Sequence, residues 1–246
     1  MKKRLLRLME KAIDFLSKRF EKNYYHPEEK KFGVMCFSQT GEDGILNSIC
    51  PPKGFYIDVG AHHPLRYSNT HMLYRRGWRG INIEPTPEAK KLFDLHRPGD
   101  LNLEVAVGRQ KTKATFYAFE EGCYNTFDAV RAKEIAKEKV SQMISAKKIS
   151  VQPLGEICKT YMARGQAVHL LTVDAEGKDT EILETHDWKN YRPRHVVVEH
   201  HGKNYLRWKN PSSFLRQKGY SLVSRTPFSA IFEDTRRKSK GKSQNG

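Results

Sequence analysis

Apolar positions in this chain fall into short runs, several of them closed by an acid, with stretches of helical spacing between them. The run Phe55–Val59, interrupted only by Asp58 near its end, predicts a buried parallel strand. Gly80–Glu84 predicts a second strand, which Pro85 prevents from continuing. Leu101–Val107 reads as a third, closed by Gly108. Val168–Asp174 is a fourth, again ending in an acid, and Arg194–Glu199 a fifth, followed by His200-His201-Gly202. Helical spacing fills residues 3–20 and 45–49, then runs from Met72 to a stop at Gly77, from Pro87 to His96, around Asp179–Thr185, and from Ser212 to Lys218. Tyr220–Ser224 and Ser229–Phe232 read as a closing antiparallel hairpin. Residues 109–165 interrupt the regularity. There Thr115–Phe119 alternates like an edge strand, a polar helical segment runs from Ala129 to Ser145, and strand character resumes over Ile149–Leu154. Strand and helix in alternation predict an α/β fold, a doubly wound and mostly parallel sheet with one ligand crevice along its carboxyl edge.

The chemistry sits at the strand ends. After Asp58, Gly60 and Ala61 allow a tight turn and a close backbone approach. Glu84, about 25 residues further on, stands where an acid can accept both hydroxyls of a ribose. A strand-end carboxylate is often only a solvated charge, but two in order on adjacent strands point to a ligand. The glycine spacing is not GxGxxG and no GxxxxGK[ST] occurs, so a pyrophosphate cradle is poorly supported. Small residues beside an acid suit a cofactor with hydroxyls and an amine. Ser68 or Asn69 can cap the helix after the first strand, whose N–H groups would then lie beside Asp58. The polar stretch Ser38–Gly44 either caps the following helix, through Thr40 or Asp43, or covers a ligand.

The length of 246 residues accommodates one such domain, placed at 32–235 with the excursion 109–165 as a substrate-side insertion. No apolar run approaches the ~18 residues of a membrane span, and the basic start of the chain lacks the apolar segment of a signal peptide. These features read as cytoplasmic. Of the net charge of +16, the two ends, residues 1–31 and 236–246, supply +10. Residues 3–20 form a basic amphipathic pattern that either packs on the domain or lies at an anionic membrane surface through residues 2–20. The tail 236–246 reads as disordered. Charge concentrated at the ends makes nucleic acid an unlikely partner, since groove binding needs a basic body. Cys36, Cys50, Cys123 and Cys158 show neither CxxC spacing nor a paired histidine pattern, so neither a zinc site nor a disulfide framework is expected.

FSQTGEDGIL (37–46), GFYIDVGAHHP (54–64), SNT with GWRGINIEPTP (68–87), LLTVDAEGKDTEIL (170–183) and VVVEH (196–200) together resemble the FkbM family of S-adenosylmethionine-dependent methyltransferases. The resemblance runs from about Phe37 to Glu233. It implies a Rossmann-like class I methyltransferase fold with a seven-stranded sheet, methyl transfer to a hydroxyl oxygen, and S-adenosyl-L-methionine as cofactor. A sugar of a surface polysaccharide or glycoconjugate is the implied acceptor. By position, Asp58, Gly60 and Ala61 match the cofactor turn, Glu84 the ribose acid, and Ala106, Val107 and Gly108 the segment near the adenine. Asp174, Glu176 and Gly177 match the motif beside the reacting methyl, where Ala175 replaces the usual Val. A sugar hydroxyl is a weak acid, so a base is expected. His62, Asp174 and His200 are the candidates, with His63 and His201 beside them. A divalent metal on Asp174 and Glu199 is the less favoured route. Rival readings are a methyltransferase for protein or nucleic acid, and a membrane-peripheral module without catalysis.

Overall fold

A computed structural model describes residues 33–175, 177–199 and 211–236. The chain divides into two units, Met1–Met35 and Cys36–Gly246, and the second is described below. The expected basic helix at 3–20, Glu176, His200, His201 and all but the first residue of the expected tail lie outside the described residues.

The second unit opens with helix α1 (Glu42–Ile49) and strand β1 (Phe55–Val59). Helix α2 (His71–Arg75), β2 (Arg79–Ile83), α3 (Ala89–His96), β3 (Leu101–Leu103) and β4 (Ala106–Val107) follow. The insertion contributes β5 (Thr112–Phe119), α4 (Ala129–Lys137) and β6 (Met143–Gln152). Then come α5 (Leu154–Tyr161), β7 (Val168–Val173), α6 (Asp179–Glu184), β8 (Pro193–Glu199), α7 (Pro211–Gln217), β9 (Tyr220–Arg225) and β10 (Ser229–Asp234). Seven strands form one sheet in the order β3-β2-β1-β7-β8-β10-β9. β1, β2, β3, β7 and β8 are parallel, while β10 runs antiparallel to β8 and to β9. The expected α/β class, seven-stranded sheet and closing hairpin are all present.

Alternation along the strands sorts the core onto two faces. Ile57 and Val59 of β1, with Ile81, Ile83, Leu171, Val173, Val196 and Val198, pack on one face against Leu154, Ile157 and Cys158 of α5 and Ile182 and Leu183 of α6. Tyr56, Leu170, Val197 and Ile231 point the other way, against Leu46 of α1, Leu73 of α2 and Trp78. Gly80 lies under Tyr56: a Cβ there would stand 2.1 Å from the ring. Asp58 and Asn82, paired in register, continue this second face toward the carboxyl edge.

Three expectations change. The third strand is broken: β3 ends at Leu103, and Ala106–Val107 joins β6 and β5 in a separate three-stranded sheet. The Leu-x-Leu-x-Val alternation continues through the break, and Val105 still packs in the main core, so periodicity could not reveal it. The helix expected over Ala129–Ser145 stops at Lys137, and β6 begins at Met143. Lys139 turns the chain at φ 54°, and the following residues are held by their antiparallel pairing with β5, which overrides the helix propensity of Ala and Lys. Finally, the strand expected to reach Leu154 ends at Gln152, and a helix, α5, follows directly. Pro153 starts it, and the Leu154 N–H donates to the Thr185 hydroxyl at 3.0 Å.

Candidate active site

The carboxyl ends of β2, β1 and β7 lie side by side, with Val59 paired to Ile83 on one flank and to Val173 on the other. The chain leaves β1 through Gly60, at φ 73°, where a Cβ would stand 1.7 Å from the Asp174 carbonyl oxygen. Only glycine fits there. The Gly60 and Ala61 N–H groups both donate to the Ile83 carbonyl, at 2.9 and 3.3 Å, and the Asp174 N–H donates to the Val59 carbonyl at 3.0 Å. The turn thereby ties the three strand ends together.

Glu84 follows β2 and is 7% exposed. One carboxylate oxygen accepts the His62 N–H and the other the Thr86 N–H, each at 2.8 Å. Each oxygen can take a second donor, so the hydroxyls of a diol can add without displacing either N–H. This fits the ribose of the implied cofactor.

Asp58 is buried. Its Oδ2 accepts the Thr70 hydroxyl at 2.6 Å. Burial lifts its pKa to about 6; the Thr70 hydrogen bond and the Arg97 charge pull it back, while Asp100 and Glu84 push it further up. The N-terminus of α2, expected to offer free N–H groups here, is partly spoken for. The cap position is Thr70 rather than the expected Ser68 or Asn69, and its side chain makes no capping bond; the Ser68 hydroxyl, two residues earlier, accepts the Thr70 and His71 N–H groups at 3.3 and 3.2 Å. Asn69 instead donates to the Thr172 hydroxyl at 3.2 Å.

His62 sits at φ 53° and is exposed to solvent. Its pKa is lowered, first by desolvation; Glu84 opposes this and the Arg66 charge adds to it. The shift favours the neutral imidazole, the form that can take a proton. His63 is otherwise employed: its Nδ1 accepts the Leu65 and Arg66 N–H groups at 3.1 and 3.0 Å. Asp174 is exposed on the β7 side of the edge.

The insertion reaches this edge through a 3-10 turn, Gly122–Tyr124. A Cβ on Gly122 would stand 3.2 Å from the His62 ring. Asn125 donates to the Thr86 hydroxyl at 3.2 Å and accepts the Phe119 N–H at 2.8 Å. One residue thus links the insertion to the loop whose N–H group holds Glu84.

Asp58, Gly60, Ala61, His62, Glu84 and Asp174 are therefore gathered at one edge. Ala106 and Val107 lie on β4 in the smaller sheet, with Val107 packed against the core of the main one. They pair with Val151 and Gln152 of β6, and Ala106 is buried against Phe116, Ala118 and Ile149. His200 and Glu176 lie outside the described residues. Among the described residues no group of three or more His, Cys, Asp or Glu side chains could hold a metal ion, and no helix is long and apolar enough to cross a membrane. Two contributors escaped sequence reasoning. Thr70 reads as a residue beside a cap, and Arg97, preceding Pro98, as an ordinary helix end. The polar run Ser68–Thr70 and the distant Arg97 share no spacing that could join them to Asp58.

An open, mostly parallel sheet whose two neighbouring carboxylates flank a glycine turn defines a nucleotide-type binding edge. Residues 58–222 match the Methyltransferase FkbM domain. The chain belongs to the FkbM methyltransferase family, which implies S-adenosylmethionine as cofactor. No curated protein matches. Among solved structures it is similar to a TehB-like SAM-dependent methyltransferase from Corynebacterium glutamicum ATCC 13032 Kitasato. That likeness has 11% identity and a TM-score of 0.41, covering 92% of this chain and 100% of the other.

Proposed function

We propose that the protein is an O-directed methyltransferase whose acceptor is a sugar hydroxyl of a surface polysaccharide or glycoconjugate. The observation that carries this reading is the placement of Glu84, a buried carboxylate with two N–H partners and capacity for two more donors, directly behind His62. When bound, S-adenosylmethionine supplies an electrophilic methyl carbon. Glu84 holds the ribose diol, Asp58 lies beneath the turn, and Gly60 lets the backbone come close. His62, whose surroundings lower its pKa, removes the acceptor proton, with Asp174 as the alternative group on the far side of the turn. The insertion, pressed against His62 by Gly122, forms the acceptor side. Basic residues 2–20 then bring the enzyme to an anionic, cytoplasmic membrane surface, where lipid-linked glycans are built.

The test is incubation of the protein with labelled methyl donor and separate glycan, protein and nucleic-acid fractions. Label is expected in glycan, as a base-stable ether. Label confined to protein or nucleic acid would overturn the acceptor class. His62→Ala and Asp174→Asn, with cofactor affinity measured separately, assign the base: normal turnover in both rejects the assignment.

A further inference from the structure

Arg97, immediately after α3, is fully buried, at 0% exposure. All five of its N–H donors end on uncharged oxygens. Nε reaches the Pro64 carbonyl at 2.8 Å, and Nη2 the same carbonyl at 2.5 Å and the Ser68 hydroxyl at 2.6 Å. Nη1 reaches the Thr70 hydroxyl at 2.7 Å and the Asn82 amide oxygen at 3.3 Å. Tyr74 and Phe93 flank the guanidinium. A buried cation whose donors all go to neutral groups is expensive unless its charge is balanced nearby.

The balance lies one side chain further out. Thr70 has a single hydroxyl proton. Because Arg97 donates to its oxygen, that proton is left to go to Asp58 Oδ2, 2.6 Å away. On the other side, the Asn82 amide accepts from Arg97 and donates to Asp100 Oδ2 at 3.0 Å. Asp100 is further held by the Gly80 N–H at 2.9 Å and by the Tyr56 hydroxyl. Two carboxylates, Asp58 buried and Asp100 half-buried, are thus tied to one cation through neutral relays, which polarise one another where the interior excludes water.

We propose that Arg97 is a positioning residue for the cofactor end of the site: through the Thr70 hydroxyl it keeps Asp58 ionised and oriented, and through Pro64 and Ser68 it pins the loop that follows the Gly60 turn. The proposal rests on Asp58 serving the cofactor. The charged groups around Asp58 are Arg97 from the end of α3, Asp100 from the loop before β3, and Glu84 from the end of β2. Of these three, Arg97 favours ionisation and the two acids act against it. With Asp58 at about 6, cofactor uptake falls as pH drops through that value, and anything that cuts the relay moves the fall upward.

The experiment titrates the Asp58 carboxyl by ¹³C NMR in the ligand-free full-length protein and measures S-adenosylmethionine affinity by calorimetry at pH 6.5 and 8.5. Wild type, Thr70→Val, Thr70→Ser and Arg97→Lys are compared. Thr70→Val should move the carboxyl midpoint up by about one pH unit. Its affinity at pH 6.5 should fall about threefold, recovering to within about twofold of wild type at pH 8.5. Thr70→Ser, which keeps the hydroxyl, should restore both. Arg97→Lys cannot make the fork and should shift the midpoint in the same direction. Folded Thr70→Val or Arg97→Lys protein titrating as wild type does would overturn the relay. Absence of cofactor uptake by wild type at either pH would instead reject the transferase reading, while the NMR midpoints still decide the relay.

Discussion

Asp58 is where binding and stability oppose each other. Its folded pKa, about 6, stands above the ordinary 3.8 because burial disfavours the charge. The sign follows from linkage: a raised carboxyl pKa gives stability that is fully present below the unfolded value and lost as pH rises through the folded one. At pH 8 the ionised carboxyl therefore destabilises the ligand-free protein by ~3 kcal/mol. Asp58→Asn, which still presents a carbonyl oxygen to Thr70, should unfold at higher denaturant than wild type at pH 8 but match it near pH ~3, below the unfolded value, while losing cofactor affinity. A gap independent of pH between the two unfolding curves would contradict this. Gly60 is a different kind of constraint. Its φ of 73° and the Asp174 carbonyl, 1.7 Å from where a Cβ would lie, leave no room to yield. Gly60→Ala should destabilise by roughly 2–4 kcal/mol, since strain and overpacking add, and soluble yield together with the urea midpoint will show it.

Elements differ in how clearly the sequence announces them. β1, β2 and β7 were legible because each is buried on both faces: a short, mostly apolar run with a small residue or an acid at its end has few other uses. Glu84 and the Gly60 turn were legible for the same reason, being fixed in register by those strands. The insertion was not. Met143–Gln152 mixes Ala, Lys and Ser at positions that suit a helix as well as a strand, and only the long ladder with Thr112–Phe119 decides between them. Nor could the sequence show that this element meets the site through Asn125, because its partners Thr86 and Phe119 lie 39 and 6 residues away with no shared periodicity. If that bond seats the insertion on the acceptor side, Asn125→Ala should raise the acceptor KM about three- to tenfold, the loss of a hydrogen bond worth ~1 kcal/mol. Cofactor affinity should stay within about twofold. Steady-state kinetics alongside calorimetry separates the two, and an equal loss in both would place Asn125 on the cofactor side instead.

At the scale of the whole molecule, the sheet has helices on both faces, and a buried thiol reports on each. Cys50, next to α1, packs with Leu46, Tyr56 and Trp78 on one face; Cys158 of α5 packs with Ile57, Leu171 and Val196 on the other. Burial pushes both thiols up to about 12, so neither forms appreciable thiolate at pH 8, and the thiolate is the reactive species. The Cys36 thiol is also raised, by desolvation and then by Asp43, but it is exposed, so reagent can reach it. Iodoacetamide at pH 8 followed by peptide mass spectrometry should therefore label Cys36 in native protein and leave Cys50 and Cys158 unmodified for hours. Both faces share the same five parallel strands, and stripping the helices from one would expose the strands that hold the other. The two buried thiols are thus expected to become reactive at one denaturant concentration, as in a single cooperative transition. Labelling of Cys50 well before Cys158 would show that α1 and its neighbours open as a separate unit, and that the polar layer around Arg97 on that same face opens with them.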